Sequence, residues 1–324
     1  MNPSAAKLTV YVAHIHKETP YVKRFELIRA DGKPLPPFSG GAYITTYVRD
    51  ADTDQIIERS YSLAQDPSQR DYYAIAIRRS PTSKGGSVYW HDSIREGDLL
   101  EISYPKNHFP LSFQARHHVF YAAGIGITPF LAMMADLEAK HRSFELHYAA
   151  KSKEECAFYS LLQETYPEKC RFYFSEDPSS QKLTTESMKD QPIGSHVYFC
   201  GPEAMIKQFS DEASSYGYPK GSIHYELFAP PTFGSSDPFQ VVLKQSGQAL
   251  DVSSEQSLLE CLLQSGVKAP YSCRSGGCGS CEVEVLEGQV DHRDLFLSEE
   301  EKKQNKVILT CVSRAKSKEL VLNL

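Results

Sequence analysis

Cys273-Arg-Ser-Gly-Gly-Cys278-Gly-Ser-Cys281 sets three thiols in a C-x4-C-x2-C pattern, inside a stretch too rich in Gly and Ser for helix or strand. A fourth thiol, Cys311, follows within Val307-Ile-Leu-Thr-Cys311-Val, which reads as a strand. Four thiolates converging from one loop and one distant strand match the ligand spacing of a [2Fe–2S] cluster. The glycines serve it as well, because bare backbone brings N–H groups close to the cluster sulfides and favours the reduced, more negative state. Structural zinc is the rival, yet zinc sites are usually built from paired C-x2–4-C knuckles rather than one three-cysteine loop with a remote ligand. A disulfide framework fits less well, since these cysteines crowd one loop of a chain that reads as intracellular. Cys273, Cys278, Cys281 and Cys311 are therefore assigned as metal ligands.

The 324 residues exceed one ordinary core and predict two or three domains. With 41% hydrophobic and 23% charged residues the composition is that of a soluble globular protein. No apolar run approaches the roughly 20 residues of a membrane helix, and the first ten residues lack a secretion signal. Eight cysteines without an export signal predict the reducing cytoplasm. A net charge of −6 without a basic stripe argues against nucleic acid as a partner.

Residues 8 to 111 read as short strands separated by turns, the pattern of an antiparallel barrel. Within it, Arg59-Ser60-Tyr61-Ser62-Leu63 is extended, so Arg59 and Tyr61 share one face and Ser60 and Ser62 the other. Arg78-Arg79-Ser-Pro-Thr-Ser-Lys84-Gly85-Gly86-Ser87 then runs from a strand end through a basic loop into a helix. Cations, a hydroxyl and free N–H groups at a helix start suit a phosphate. An ordinary surface loop with Ser87 as N-cap explains the same residues.

Arg-x-Tyr-Ser followed by Gly-Gly-Ser resembles the flavin-binding barrel of the ferredoxin reductase superfamily. Tyr104-Pro-Lys-Asn-His-Phe-Pro-Leu111 resembles the segment closing that barrel in the phthalate dioxygenase reductase family. The resemblance implies that Arg59 and Ser87 hold the flavin phosphate, that Gly85 and Gly86 give it backbone approach, and that Tyr61 and Ser62 line the isoalloxazine and ribityl chain. Ser60, Arg78 and Lys84 belong to the same expected site. The flavin it implies is FMN.

From His117 strands alternate with helical segments, which means a parallel sheet of nucleotide-binding type. Gly124-Ile-Gly126-Ile-Thr128-Pro129 lies between a strand and a helix, with Pro129 suited to the first helical position. Gly126 would let backbone approach a pyrophosphate there; a tight turn without a ligand is the plainer reading. Cys200-Gly201-Pro202 opens a second strand-to-helix turn, and the resemblance puts Cys200 near the nicotinamide, whereas composition alone favours a core cysteine. Glu176 and Asp177 follow another strand and can accept hydrogen bonds from an adenosine ribose while repelling a 2′-phosphate, which favours NADH over NADPH. A solvated acidic turn accounts for them too.

Glu226-Leu-Phe228 ends the sheet, and a proline-rich linker follows. The resemblance places Glu226 and Phe228 over the flavin; an ordinary strand end is the alternative. The last segment, a hairpin, then a helix from Ser257 with Cys261 in its core, the cluster loop and a further strand, resembles plant-type ferredoxins throughout.

The whole chain is thus similar to the phthalate dioxygenase reductase family. The expected fold is multidomain: an antiparallel β-barrel flavin domain at 1–112, an α/β parallel-sheet NAD domain at 113–229, a linker at 230–238 and an α+β β-grasp ferredoxin domain at 239–324. The resemblance implies a monomeric NADH-dependent reductase with FMN and [2Fe–2S], passing single electrons to a terminal oxygenase of Rieske type. The alternatives are an FAD relative serving a haem or diiron oxygenase, and an iron–sulfur or zinc scaffold without catalysis.

Overall fold

The computed structural model describes residues 6–49, 56–80, 86–228 and 237–324. The chain divides into two compact units, one ending at Glu226 and one beginning at Leu227.

The first unit opens with six antiparallel strands: β1 (Lys7–Lys17), β2 (Val22–Arg29), β3 (Tyr43–Arg49), β4 (Ile56–Ser62), β5 (Tyr73–Arg78) and β6 (Leu99–Ser103), in the order β4-β3-β6-β1-β2-β5. The two outer strands meet through a bridge between Leu63 and Ile75 and the Ala64 amide donating to the Ala74 carbonyl, which curls the sheet into a barrel. Helix α1 (Gly86–Asp92) seals it with Trp90. Strand β5 shows why both faces are buried. Tyr73, Ile75 and Ile77 fill the barrel, while the intervening Ala76, small enough for a sheet-to-helix seam, belongs to the neighbouring core.

That neighbour is a five-stranded parallel sheet. Its strands are β7 (His117–Ala123), β8 (Ser143–Ala150), β9 (Cys170–Phe174), β10 (Ser195–Cys200) and β11 (Ile223–Glu226), ordered β11-β10-β7-β8-β9. Helices α2 (Thr128–Ala139), α3 (Tyr159–Thr165) and α4 (Glu203–Ser215) connect them. The order reverses between β7 and β10, so the crevice beyond their carboxyl ends is where such sheets take ligands. One core runs from Val22, Ala64, Ala76 and Phe109 of the barrel into Phe120, Phe130 and Met133 of the α/β layer. A β-carbon on Gly40 would stand 2.6 Å from the Met133 Cα, and the Gly40 amide donates to Asp136 Oδ2 at 2.7 Å. The barrel is thereby fixed directly to α2.

The second unit contains β12 (Phe239–Leu243), β13 (Ala249–Val252), α5 (Leu258–Gln264), β14 (Glu282–Glu287), β15 (Val290–Asp291), α6 (Glu299–Gln304), β16 (Val307–Leu309), β17 (Arg314–Ala315) and β18 (Glu319–Leu322). The main sheet runs β13-β12-β18-β14-β16, with β12 and β18 parallel, and α5 packs its leucines on it. Ser257 caps α5 in a capping box with Glu260. Among the described residues no helix is long and apolar enough to cross a membrane.

Candidate functional site

The cysteine loop depends on left-handed backbone at Arg274, Gly276 and Gly279. A β-carbon on Gly276 would lie 2.7 Å from Val312, and one on Gly279 would lie 2.4 Å from the Phe296 ring. These contacts fold the loop tightly and gather the thiols in two pairs. Cys281 Sγ and Cys311 Sγ are 3.2 Å apart, both buried, and Cys273 is hydrogen-bonded to Cys278. Within each pair one sulfur accepts. The Cys278 hydrogen bond pulls Cys273 down to about 4, helped by the Ser275 and Gly277 amides, and pushes Cys278 up in turn. Cys311 likewise lowers Cys281 and is itself raised. The Ser275 amide donates to Cys273 Sγ at 3.4 Å, and the Gly276 amide supports Cys311. Two thiol pairs with backbone donors fit a two-iron cluster, whose binding would deprotonate all four. Cys261 is elsewhere, in the core of α5 with Sγ toward the Asp251 carbonyl.

In the barrel, Arg59 and Tyr61 both face α1. A β-carbon on Gly86 would touch the Arg59 side chain at 3.0 Å, and Tyr61 meets Trp90 edge-on at 5.9 Å. Ser60 lies on the opposite face, its hydroxyl 3.1 Å from that of Thr45. Ser87 Oγ accepts from the Ser80 amide, tying the two ends of the basic loop together. Lys84 and Gly85 fall outside the described residues. Ser62, buried, donates to Glu226 Oε2 at 3.5 Å, so the end of β4 reaches the end of β11.

At the switch point, Gly124 has φ +56 and begins a 310 turn that leads into α2. Thr128 donates back to the Ile125 carbonyl, and Pro129 sits in the first turn of α2. A β-carbon on Gly126 would lie 2.1 Å from the Cys200 carbonyl oxygen. The residue expected to admit a pyrophosphate is glycine because another backbone occupies the space. Cys200 is fully buried, and burial raises its thiol well above the ordinary range. Its partner across the ladder is Glu226. Gly201 packs against Ala123 and Met205, and Pro202 is the N-cap of α4.

Glu176 and Asp177 are exposed. Asp177 Oδ1 accepts both the Ser179 hydroxyl at 2.7 Å and the Ser179 amide at 2.8 Å, bonds that hold its carboxyl below the usual range. Phe228, 46% exposed, belongs to the second unit.

Several residues that shape these sites carry little sequence signal. Gly40, Asp136 and Glu155 act through partners far along the chain: Gly40 and Asp136 bond each other, and Glu155 Oε2 lies 3.7 Å from Arg78 Nη2. The Ser39-Gly40-Gly41 step is the one feature there with a legible signature, as paired glycines mark a close approach.

A family model described as a 2Fe-2S iron-sulfur cluster binding domain matches residues 241–316. A second, described as the N-terminal domain of a dimethylamine monooxygenase subunit DmmA-like protein, matches residues 105–223. The carnitine monooxygenase reductase subunit of Acinetobacter pittii is 40% identical over 306 residues, 94% of this chain and 99% of that protein. The heme-dependent oxidative N-demethylase beta subunit of Ectopseudomonas mendocina is 37% identical over 318 residues, 98% of this chain and 99% of that protein. A solved phthalate dioxygenase reductase, described as a modular structure for electron transfer from pyridine nucleotides to [2Fe–2S], superposes with a TM-score of 0.79 at 36% identity, covering 98% of each chain.

Proposed function

The chain belongs to the phthalate dioxygenase reductase family, oxidoreductases that serve as reductase components of oxygenases, and on that footing we propose that it uses NADH and FMN to deliver single electrons through its [2Fe–2S] cluster to a separate Rieske non-haem iron oxygenase. The carrying observation is the two-pair arrangement of Cys273, Cys278, Cys281 and Cys311 in one chain with a parallel sheet whose switch point opens at Gly124 and Cys200. A bound flavin accepts two electrons together as hydride and releases them singly, which is the conversion a one-electron cluster needs.

The chain's own residues then bind and orient. Arg59 and Ser87, with Gly85, Gly86 and Lys84, hold the flavin phosphate; Tyr61 and Ser62 line its ring and ribityl chain. Ser62 Oγ is steadied by Glu226 at the flavin edge. Gly124, Thr128, Pro129, Gly201 and Pro202 form the dinucleotide wall, with Cys200 behind it. Glu176 and Asp177 face the adenosine ribose. The working compartment is the cytoplasm.

The relative whose name specifies a heme-dependent N-demethylase supports a second reading of the partner, in which the acceptor is a haem oxygenase. Purified protein, NADH and either a Rieske oxygenase or a haem N-demethylase separate the two, read as reduction of the acceptor's own absorption bands. Reduction of neither by a protein carrying both cofactors would defeat the Rieske proposal and the haem reading alike.

A further inference from the structure

We infer that Tyr148, a buried residue of β8, is a positioning residue for dinucleotide binding. Its hydroxyl holds the Gly124–Ile125 peptide in the orientation that presents the Ile125 N–H to a phosphate. This rests on the switch point being the NADH site.

The Tyr148 side chain is completely buried, and its hydroxyl donates to the Gly124 carbonyl at 2.9 Å. The hydroxyl also lies beside the Ala157 amide and the buried Cys156 thiol. Of the groups around the hydroxyl, the Gly124 carbonyl can only accept, whereas the Cys156 thiol, kept protonated by burial, can also donate, so the O–H is directed to Gly124. Burial raises the phenol well above its ordinary range, so it remains a donor at every pH the protein meets.

Peptide geometry supplies the next step. In a trans peptide the C=O and the following N–H point in opposite directions. With the Gly124 carbonyl drawn inward, the Ile125 N–H is directed outward, at the amino end of the 310 turn, where amides have no acceptor within the turn itself. Gly124 takes φ +56 to achieve this, a conformation that glycine adopts without strain but in which the peptide can also flip. A glycine hinge therefore needs an anchor.

The other side of Gly124 carries charge. Arg78 Nη1 lies 3.7 Å from the position a Gly124 β-carbon would take, and the Arg78 side chain is 45% exposed. Glu155 holds that guanidinium at 3.7 Å. Cys156 and Ala157, the next two residues, are the ones that support the Tyr148 hydroxyl. One short segment thus fixes both the peptide anchor and the cation beside the hinge. Adenosine recognition, at the end of β9, lies outside this assembly.

The test compares ligands that differ in the pyrophosphate. Tyr148→Phe keeps the ring and deletes the anchor, and one lost hydrogen bond weakens binding about five- to tenfold. Calorimetry on the flavin- and cluster-loaded protein should show that loss for NAD⁺ and ADP-ribose, with adenosine unaffected. Equal affinities for all three in the variant and the parent would overturn the inference, as would parallel weakening of all three, which indicates general loosening. A parent protein that binds neither NAD⁺ nor ADP-ribose would instead defeat the nucleotide reading of the switch point. Should Tyr148→Phe not fold, ¹⁵N-isoleucine labelling of the parent decides, with Ile125→Leu for assignment. The Ile125 amide resonance should shift with ADP-ribose and stay put with adenosine; no shift with ADP-ribose contradicts the inference.

Discussion

The carbonyl of Cys200 occupies the space in which Gly126 would carry a β-carbon, 2.1 Å from its ideal position. Two strand-to-helix turns, after β7 and after β10, are thereby locked together at the point where the sheet order reverses. Ala at 126 cannot be relieved by a rotamer change, because the obstacle is backbone. Gly126→Ala is expected to cost about 2 kcal/mol or more and to weaken NAD⁺ binding. Gly221→Ala, with open space around it, should leave the melting temperature within about 2 °C. Thermal melts of the two variants check this, and equal effects would contradict it.

Trp90 is the only tryptophan of the chain and stands edge-on to Tyr61. Flavin absorbs where tryptophan emits, so flavin bound at this end of the barrel should quench Trp90. Arg59→Ala removes a charge-assisted hydrogen bond of roughly 1.5–3 kcal/mol and should raise the flavin concentration for half-quenching about tenfold or more. Unchanged quenching would place the flavin phosphate away from Arg59.

The four cysteines that the fold gathers into two pairs stand out in the sequence because metal chemistry demands fixed residue types at fixed spacing. In sequence the cap of α5 is open between Ser254 and Ser257, and the capping box with Glu260 falls to Ser257. The same Ser-x-x-Glu pattern at Ser298 and Glu301 caps α6, a helix that passes unread because it is short and buries nothing. Gly126 was legible as a special glycine but its reason was not: the demand comes from Cys200, far along the chain. Gly40 is similar, set by the Met133 backbone of α2. Close backbone approaches are properties of two segments, and a single stretch records only one of them.

Burial makes the parallel sheet of the first unit sensitive to acid. His196 Nδ1 and His224 Nε2 share a 2.9 Å hydrogen bond, and His224 stacks on Tyr198 at 4.4 Å. Burial, with His196 and His118 nearby, lowers His224 to about 4, and burial also depresses His196 and His118. An unfolded histidine takes its proton near pH 6.5, so below that value the unfolded state binds protons the folded state refuses. Stability is therefore complete above about pH 6.5 and falls as the pH drops toward 4, on the order of 3 kcal/mol from His224. Denaturant melts across that range should show the slope, and His224→Phe should flatten it. A slope unchanged in the variant would exclude His224 as its source.

Asp177 is bound into its own turn through Ser179, yet with Glu176 it still sets a negative field at the end of β9. Glu176→Arg with Asp177→Ser should raise the NADPH-to-NADH ratio of kcat/KM about tenfold, a difference of roughly 1.4 kcal/mol. If the ratio does not move, the acidic pair only shapes the turn.

The central claim is an internal electron path ending at the four cysteines. The most direct measurement is an anaerobic absorption titration with NADH of the purified protein and of Cys278→Ser, with the released flavin identified and a one-electron protein acceptor added at the end. The expected result is FMN, bleaching of both flavin and cluster bands in the parent, and bleaching of flavin alone in Cys278→Ser with acceptor reduction abolished. Cluster bands that stay oxidised while NADH is consumed, or an acceptor rate unchanged in Cys278→Ser, would contradict it.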